Sequence, residues 1–148
     1  MKGKVIAEWL DNPKRLIAAA IIIVIAIVII AIFGKKIKNW ITDLKQQRDL
    51  EKDNDKLIEA TGQTPSYADV QYRQWADKLY VAMKGAGTDE DAIDNIMAQM
   101  RNDADVLKLV SAFGIRDSED LYQWIDGEYW GEPSCNKILR KNGITILF

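Results

Sequence analysis

The sequence predicts an all-α protein made of one transmembrane helix, a polar stalk helix and a small five-helix bundle that ends in a short β-prone tail. Three observations predict this organisation. An uncharged apolar run lies near the N-terminus, and a charged segment with sparse apolar residues follows it. The rest of the chain carries apolar residues at helical spacing between breaks marked by glycine and proline. We place the divisions at 1–34, 35–62 and 63–148.

The apolar run extends from Leu16 to Phe33 and contains no charged residue. Its eighteen residues would reach about 27 Å as a helix, close to the thickness of a hydrocarbon core. A cleaved signal peptide is the alternative, but the run is longer than the usual apolar part of about 7–15 residues and lacks a small-residue cleavage pattern. We therefore expect a retained anchor in the lipid bilayer, with tryptophans at the interfaces. The predicted membrane residues are Trp9, Leu16, Ile25, Phe33 and Trp40.

Basic residues flank the run on both sides, four before it and five after it. Because lysine and arginine favour the cytoplasmic side, this small excess predicts a single-pass protein with a cytoplasmic C-terminal part. A cellular membrane and the internal membrane of a virus particle both remain open. The single cysteine, Cys135, allows no intramolecular disulfide, which is compatible with a reducing compartment.

Charge divides the chain into a basic and an acidic part. Residues 1–60 hold eleven Lys/Arg and eight Asp/Glu, whereas residues 61–148 hold nine and fourteen. The acidic part lacks the basic footprint of nucleic-acid-binding proteins, so no nucleic-acid partner is expected. It would also be repelled by anionic lipid unless a divalent cation intervened.

The stalk begins with apolar residues at helical spacing, namely Ile37, Trp40, Ile41 and Leu44. The pattern then weakens before three clean heptads are complete, so a homo-oligomer formed through the stalk stays an alternative. Gly62 and Pro65 predict the break before the bundle.

The bundle is predicted to contain five helices with apolar faces. Asp117 is the predicted N-cap of the fourth, and Asn142 with Gly143 forms the predicted C-cap of the fifth. The tail from Ile144 to Phe148 either packs back on the bundle or offers a docking strand to a partner. The predicted helices are 66–84, 89–101, 103–113, a fourth from 117, and 134–141, with 127–133 as a loop.

A tight turn is predicted between the first two helices of the bundle. Gly85 and Gly87 are both expected to adopt positive φ, and Thr88 is expected to cap the second helix with Asp91 at its third position. Such a turn directs backbone carbonyls outward beside carboxylates, which suits calcium. A capped helix-turn-helix connection without a metal is the alternative.

The run Met-Lys-Gly-Ala-Gly-Thr-Asp-Glu-Asp-Ala-Ile from Met83, with Ala-Asp-Lys-Leu-Tyr before it and Ser-Ala-Phe after it, resembles one annexin repeat over about residues 67–142. The resemblance implies a five-helix repeat whose first loop holds calcium that bridges to phospholipid. By position, it implies that the carbonyls of Met83, Gly85 and Gly87 are ligands. Annexins carry four or more repeats, whereas this chain has room for one.

The resemblance also implies a distant acidic ligand. By the family's spacing it falls on Gly127, about forty residues after Gly87, or on Trp124 if the run Glu-Asp-Leu before it is taken as the anchor. Neither residue is acidic. Asp126 and Glu128 flank the expected place, and either would serve if the preceding helix is displaced.

Two functions are predicted, and neither is enzymatic, because the sequence has no histidine and the single cysteine has no imidazole partner. The first is a single-pass membrane scaffold whose bundle docks other proteins of an assembly. The second is a calcium-dependent module that bridges its membrane to another lipid surface or partner. Calcium binding is expected to be weak or absent in isolation, and to be lost when Asp126 and Glu128 are both changed. The predicted partner-binding residues are Trp130, Ile144, Ile146 and Phe148.

Overall fold

The computed structural model describes residues 13–85, 87–128 and 131–148. Within these ranges the chain is helical and has no sheet, apart from an isolated bridge between Arg116 and Glu119. The predicted all-α class is confirmed. Trp9 and Trp130 lie outside the described residues. The helices are α1 (Pro13–Thr61), α2 (Asp69–Lys84), α3 (Glu90–Met97), α4 (Asp103–Phe113), α5 (Leu121–Asp126) and α6 (Gly131–Lys141).

Helix α1 joins the predicted span and the predicted stalk in one helix of 49 residues. By length and composition, its N-terminal part is long and apolar enough to cross a membrane. Ile25, Phe33 and Trp40 are 52%, 48% and 63% exposed, and Leu16 lies on the same helix. An apolar surface of this extent indicates contact with lipid or with another apolar surface.

The chain separates into two compact units, one up to Ile41 and one over Thr42–Phe148. Residues 42–62 of the predicted stalk therefore belong to the same unit as helices α2 to α6. We describe the two units separately.

Within Thr42–Phe148, α1 contacts α4 through polar side chains. The Asn54 side chain is buried and donates to the Leu107 carbonyl at 3.4 Å and to Ser111 Oγ at 3.0 Å. Leu50 packs against the core. A buried amide stabilises a contact only where its hydrogen bonds are satisfied, as they are here.

The core of this unit is built mainly from apolar residues of α2 to α6. Tyr72, also buried, donates its hydroxyl to the carboxylate of Asp105 at 2.6 Å. Asp105 also accepts the backbone N–H groups of Ser66 and Arg101, which ties the entry to α2 to the start of α4. Burial, followed by the hydrogen bond to Asp105, raises the pKa of Tyr72. Core residues include Leu79, Met83, Ile93, Met97, Leu109, Val110, Phe113, Leu121, Ile125 and Leu139.

The C-terminal tail packs back on the bundle, which was one of the two predicted alternatives. Ile144 is buried, and Asp103 accepts hydrogen bonds from Thr145 N, Thr145 Oγ1 and Ile146 N. Burial by itself would raise the pKa of Asp103, but the three hydrogen bonds outweigh it and hold the pKa below its usual value.

The fourth bundle helix starts later than predicted. Its N-cap is Asp120, which forms a capping box with Gln123, so the predicted cap at Asp117 is wrong. Asp117 and Ser118 instead have positive φ, 51° and 70°, in the turn closed by the Arg116–Glu119 bridge. Aspartate tolerates this left-handed conformation better than most residues, so the turn displaces the helix start. Other limits shift by a few residues, since α2 begins at Asp69 and α3 ends at Met97. The predicted loop 127–133 is too long, because α6 begins at Gly131 and not at 134.

Candidate metal site

The connection between α2 and α3 is a glycine turn closed by a hydrogen bond from Asp89 N to the Ala82 carbonyl, 3.1 Å long. Gly87 has φ of 100°, as predicted, whereas Gly85 has φ of −81° and ψ of 173°. The predicted positive φ at Gly85 is therefore wrong, because one left-handed residue reverses the chain and the other remains extended. A Cβ built on Gly85 would lie 3.4 Å from the Gly87 carbonyl oxygen, so the two glycines pack closely.

The N-cap of α3 is Asp89, whose side chain accepts from Ala92 N at 3.0 Å. The predicted cap at Thr88 is wrong. The Thr88 hydroxyl instead donates to Glu128 Oε2 at 2.7 Å. Thr88 and Asp89 are adjacent and both favour the N-cap position. Because the Thr88 hydroxyl is bonded to Glu128, which is distant in sequence, Asp89 caps the helix.

Glu128 lies just beyond α5, where its N–H donates to the Ile125 carbonyl at 3.1 Å. The segment just after α5 thus brings a carboxylate to Thr88 in the glycine turn, 40 residues away in sequence. Glu128 is half-buried, whereas Asp126 is exposed at the end of α5. Of the two predicted acidic ligands, Glu128 is the one that the structure brings to the loop.

The oxygen atoms available at this turn suit a hard cation. In the part of the chain that the structure describes, no group of three or more His, Cys, Asp or Glu side chains is arranged to hold a metal. A cation here would therefore depend on backbone carbonyls together with one carboxylate. The resemblance would make the carbonyls of Met83, Gly85 and Gly87 the neutral donors, and Glu128, which accepts a hydrogen bond from Thr88, would be the carboxylate.

A cationic side chain adjoins the turn but is already paired. The Lys84 ammonium contacts Asp117 at 3.2 Å and also the Tyr80 hydroxyl, which donates to Asp117 at 2.9 Å. Hydrogen bonds from Tyr80 and Lys84 lower the pKa of Asp117, and the bonds to Tyr80 and Asp117 raise the pKa of Lys84. The lysine charge is thus directed to Asp117 on the turn before α5.

Comparison with known proteins points to one family. The family model for annexin matches residues 74–133, a stretch that contains the glycine turn, Thr88 and Glu128. Annexin A6 of Mus musculus is 40% identical over 58 residues, which cover 39% of this chain and 8% of the length of that relative. No solved structure matches. The chain therefore contains an annexin-like repeat, and it spans a small part of the relative that it matches.

The predicted partner-binding residues of the tail lie against the bundle. Ile144 belongs to the buried core, and Ile146 and Phe148 are partly buried against it. The Asn136 side chain donates to the Phe148 carbonyl at 2.8 Å and accepts from Phe148 N at 2.9 Å. Partner binding by this tail stays a prediction.

Proposed function

We propose that this chain is a membrane-anchored, non-enzymatic module whose annexin-like repeat binds calcium at the α2–α3 turn and, through the ion, phospholipid headgroups. The observation that carries the proposal is the hydrogen bond between Thr88 and Glu128, 2.7 Å long. It places a carboxylate beside the turn that the family match covers.

The donor set determines what calcium would do here. Carbonyls are neutral, so one carboxylate would leave part of the ion's charge uncompensated. The excess positive charge would attract phosphate groups, whereas the acidic residues 61–148 repel anionic lipid when no ion is bound. With a single carboxylate we expect weak binding, with a Kd of about 10⁻⁴–10⁻³ M, as in the weakest protein calcium sites.

The anchor is the second part of the proposal. Helix α1 supplies an apolar segment of sufficient length, and its exposed isoleucines gain free energy in lipid, at about 25 cal/mol per Å² of apolar surface removed from water. Alkaline carbonate extraction of membranes carrying the full chain tests it. Retention in the pellet is expected, and release into the supernatant would contradict a spanning helix.

Reciprocal coupling between calcium and lipid tests the calcium function. The full chain is incorporated into lipid nanodiscs of phosphatidylcholine alone or with phosphatidylserine, and calcium is titrated by calorimetry with matched empty discs subtracted. If phosphatidylserine completes the site, calcium must bind more tightly in its presence, because linked ligands strengthen each other equally.

Two variants locate the acidic ligand. Glu128→Gln is expected to abolish the gain from phosphatidylserine, and the matched control Asp126→Asn is expected to retain it. A gain that survives Glu128→Gln and disappears in Asp126→Asn would assign the carboxylate to the other residue. Equal calcium affinity in both kinds of disc would contradict the proposed function.

The scaffold function predicted from the sequence stays an alternative prediction. It requires a protein partner that binds the bundle with the same affinity in calcium and in chelator. Partner binding that is unchanged by Glu128→Gln would favour it over the calcium-dependent function.

A further inference from the structure

The C-terminal tail, Ile144–Phe148, lies against side chains from three helices of the bundle. Two of these side chains bind its backbone and are almost fully buried, since Asp103 of α4 is 8% exposed and Asn136 of α6 is 6% exposed. Helix α5 contributes Tyr122, whose ring centroid lies 5.2 Å from that of Phe148. We call the groove formed by Asp103, Tyr122 and Asn136 the tail groove.

The tail groove binds the backbone of the segment that it holds. Oδ1 of Asp103 accepts from the consecutive N–H groups of Thr145 and Ile146, at 2.7 and 3.0 Å. The Asn136 amide pairs with both backbone groups of Phe148, at 2.8 and 2.9 Å. Backbone hydrogen bonds give affinity for an extended peptide whatever its sequence. The groove would therefore hold another extended segment in the same register.

The side chains of the tail show which segment fits. The Thr145 hydroxyl donates to Oδ2 of Asp103 at 2.8 Å, which favours threonine or serine at that position. The other tail residues pack against the core, namely Ile144, Ile146, Leu147 and Phe148. The groove thus fits a segment made of an aliphatic residue, threonine or serine, two aliphatic residues and an aromatic residue.

Helix α6 is basic beside the tail groove, whereas the tail has no charged side chain. Lys137, Arg140 and Lys141 are exposed on this helix. Arg140 follows Asn136 by four residues, so the two lie on the same helix face. A segment with an acidic residue after its aromatic residue would gain an attraction that the tail cannot make. Such a segment is able to displace the tail.

We propose that the tail groove is a docking site for an extended segment of a partner protein, which has this residue pattern followed by an acidic residue, and that the tail occupies the site until the segment displaces it. The inference does not depend on calcium, because Asp103 and Asn136 lie outside the donor set of the α2–α3 turn. The tail competes with the segment, so the apparent affinity falls with the fraction of chains whose groove is open.

Peptide binding to the full chain in nanodiscs tests the proposal. The probe is a fluorescently labelled peptide, Gly-Ile-Thr-Ile-Leu-Phe-Asp-Glu, and its control is a scrambled peptide of the same composition. Thr145→Pro should open the groove, because proline has neither the N–H nor the hydroxyl that bind Asp103. Fluorescence anisotropy is expected to show binding about tenfold tighter to Thr145→Pro than to the unmodified chain. The matched control Thr145→Ser keeps both donors and should bind as the unmodified chain does.

Changes in the probe test the recognised chemistry without any effect on the folding of the chain. Replacing its threonine with valine, its phenylalanine with alanine, or its acidic residues with lysine should each weaken binding to Thr145→Pro severalfold. Adding Asn136→Ala to Thr145→Pro should abolish binding while the helical circular dichroism is retained. Equal binding of the scrambled peptide would overturn the proposal. Absence of peptide binding to a Thr145→Pro chain that keeps its helices would also overturn it.

Self-association separates a partner segment from the tail of a second copy as the occupant. Sedimentation of the full chain in detergent is expected to be the same with and without Asn136→Ala. A dimer of the unmodified chain that dissociates in Asn136→Ala would assign the groove to the tail of a second copy and overturn the proposal.

Discussion

The Thr88 hydroxyl donates a hydrogen bond of 2.7 Å to Oε2 of Glu128, across 40 residues of sequence. This contact joins the glycine turn after α2 to the end of α5. It also explains why Asp89, and not Thr88, caps α3.

The two glycines of the turn are expected to differ in their tolerance of a side chain. Gly87 has φ of 100°, so Gly87→Ala should reduce the free energy of unfolding by about 1–2 kcal/mol through left-handed strain. Gly85→Ala is the matched control, because its φ of −81° is open to any residue. Denaturant unfolding of the full chain in detergent measures both. Equal losses in the two variants would show that the turn has a different conformation.

The packing of α1 on α4 is expected to depend on Asn54. Asn54→Ala removes the bonds to Leu107 and Ser111 and leaves the half-buried Ser111 hydroxyl without that partner, at a cost of about 1 kcal/mol. Asp55→Ala, at the exposed neighbouring position, serves as the control. Hydrogen exchange should become faster in α1 beyond Thr42 and along α4. Unchanged exchange in Asn54→Ala would mean that the Asn54 hydrogen bonds contribute little to the stability of the contact between α1 and α4.

The attachment of the tail is expected to be sensitive to acid through Asp103. Its folded pKa is lowered, so the carboxylate stabilises the fold above the usual aspartate pKa, and this contribution is lost as the pH falls through the folded pKa. Thr145 and Ile146 donate to it, so their amides report its protonation. The protection factors of these two amides, which correct for the slower intrinsic exchange in acid, should fall at low pH before those of the core amides of α4.

Asp103→Asn gives the matched test of the tail at neutral pH. The amide retains an acceptor oxygen but loses the charge, so the protection factors of Thr145 and Ile146 should be lower than in the unmodified chain and should no longer depend on pH in this range. If exchange at Thr145 and Ile146 has the same pH dependence as exchange of the core amides of α4, a group other than Asp103 controls the attachment of the tail.

The sequence was sufficient to predict the helices and their inner faces, because apolar spacing such as Leu79 with Met83 is local information. The sequence was not sufficient to choose between Thr88 and Asp89 as the N-cap of α3. The two adjacent residues have similar cap preference, and Glu128, the partner that decides between them, is remote in sequence. The same limit applies to Asn54, which follows Asp53 in a charged run that looks solvated. Its burial depends on Ser111 on another helix.

A thermodynamic cycle on calcium affinity tests the pairing of Thr88 with Glu128 most directly. Calorimetry in phosphatidylcholine discs compares the unmodified chain with Thr88→Val, Glu128→Gln and the double variant. If the hydroxyl orients the metal-binding carboxylate, Thr88→Val should weaken calcium binding by about tenfold or more, as loss of an outer-shell partner does. The double variant should then bind no more weakly than Glu128→Gln alone. Full calcium affinity in Glu128→Gln, or independent additive losses in the double variant, would contradict this account.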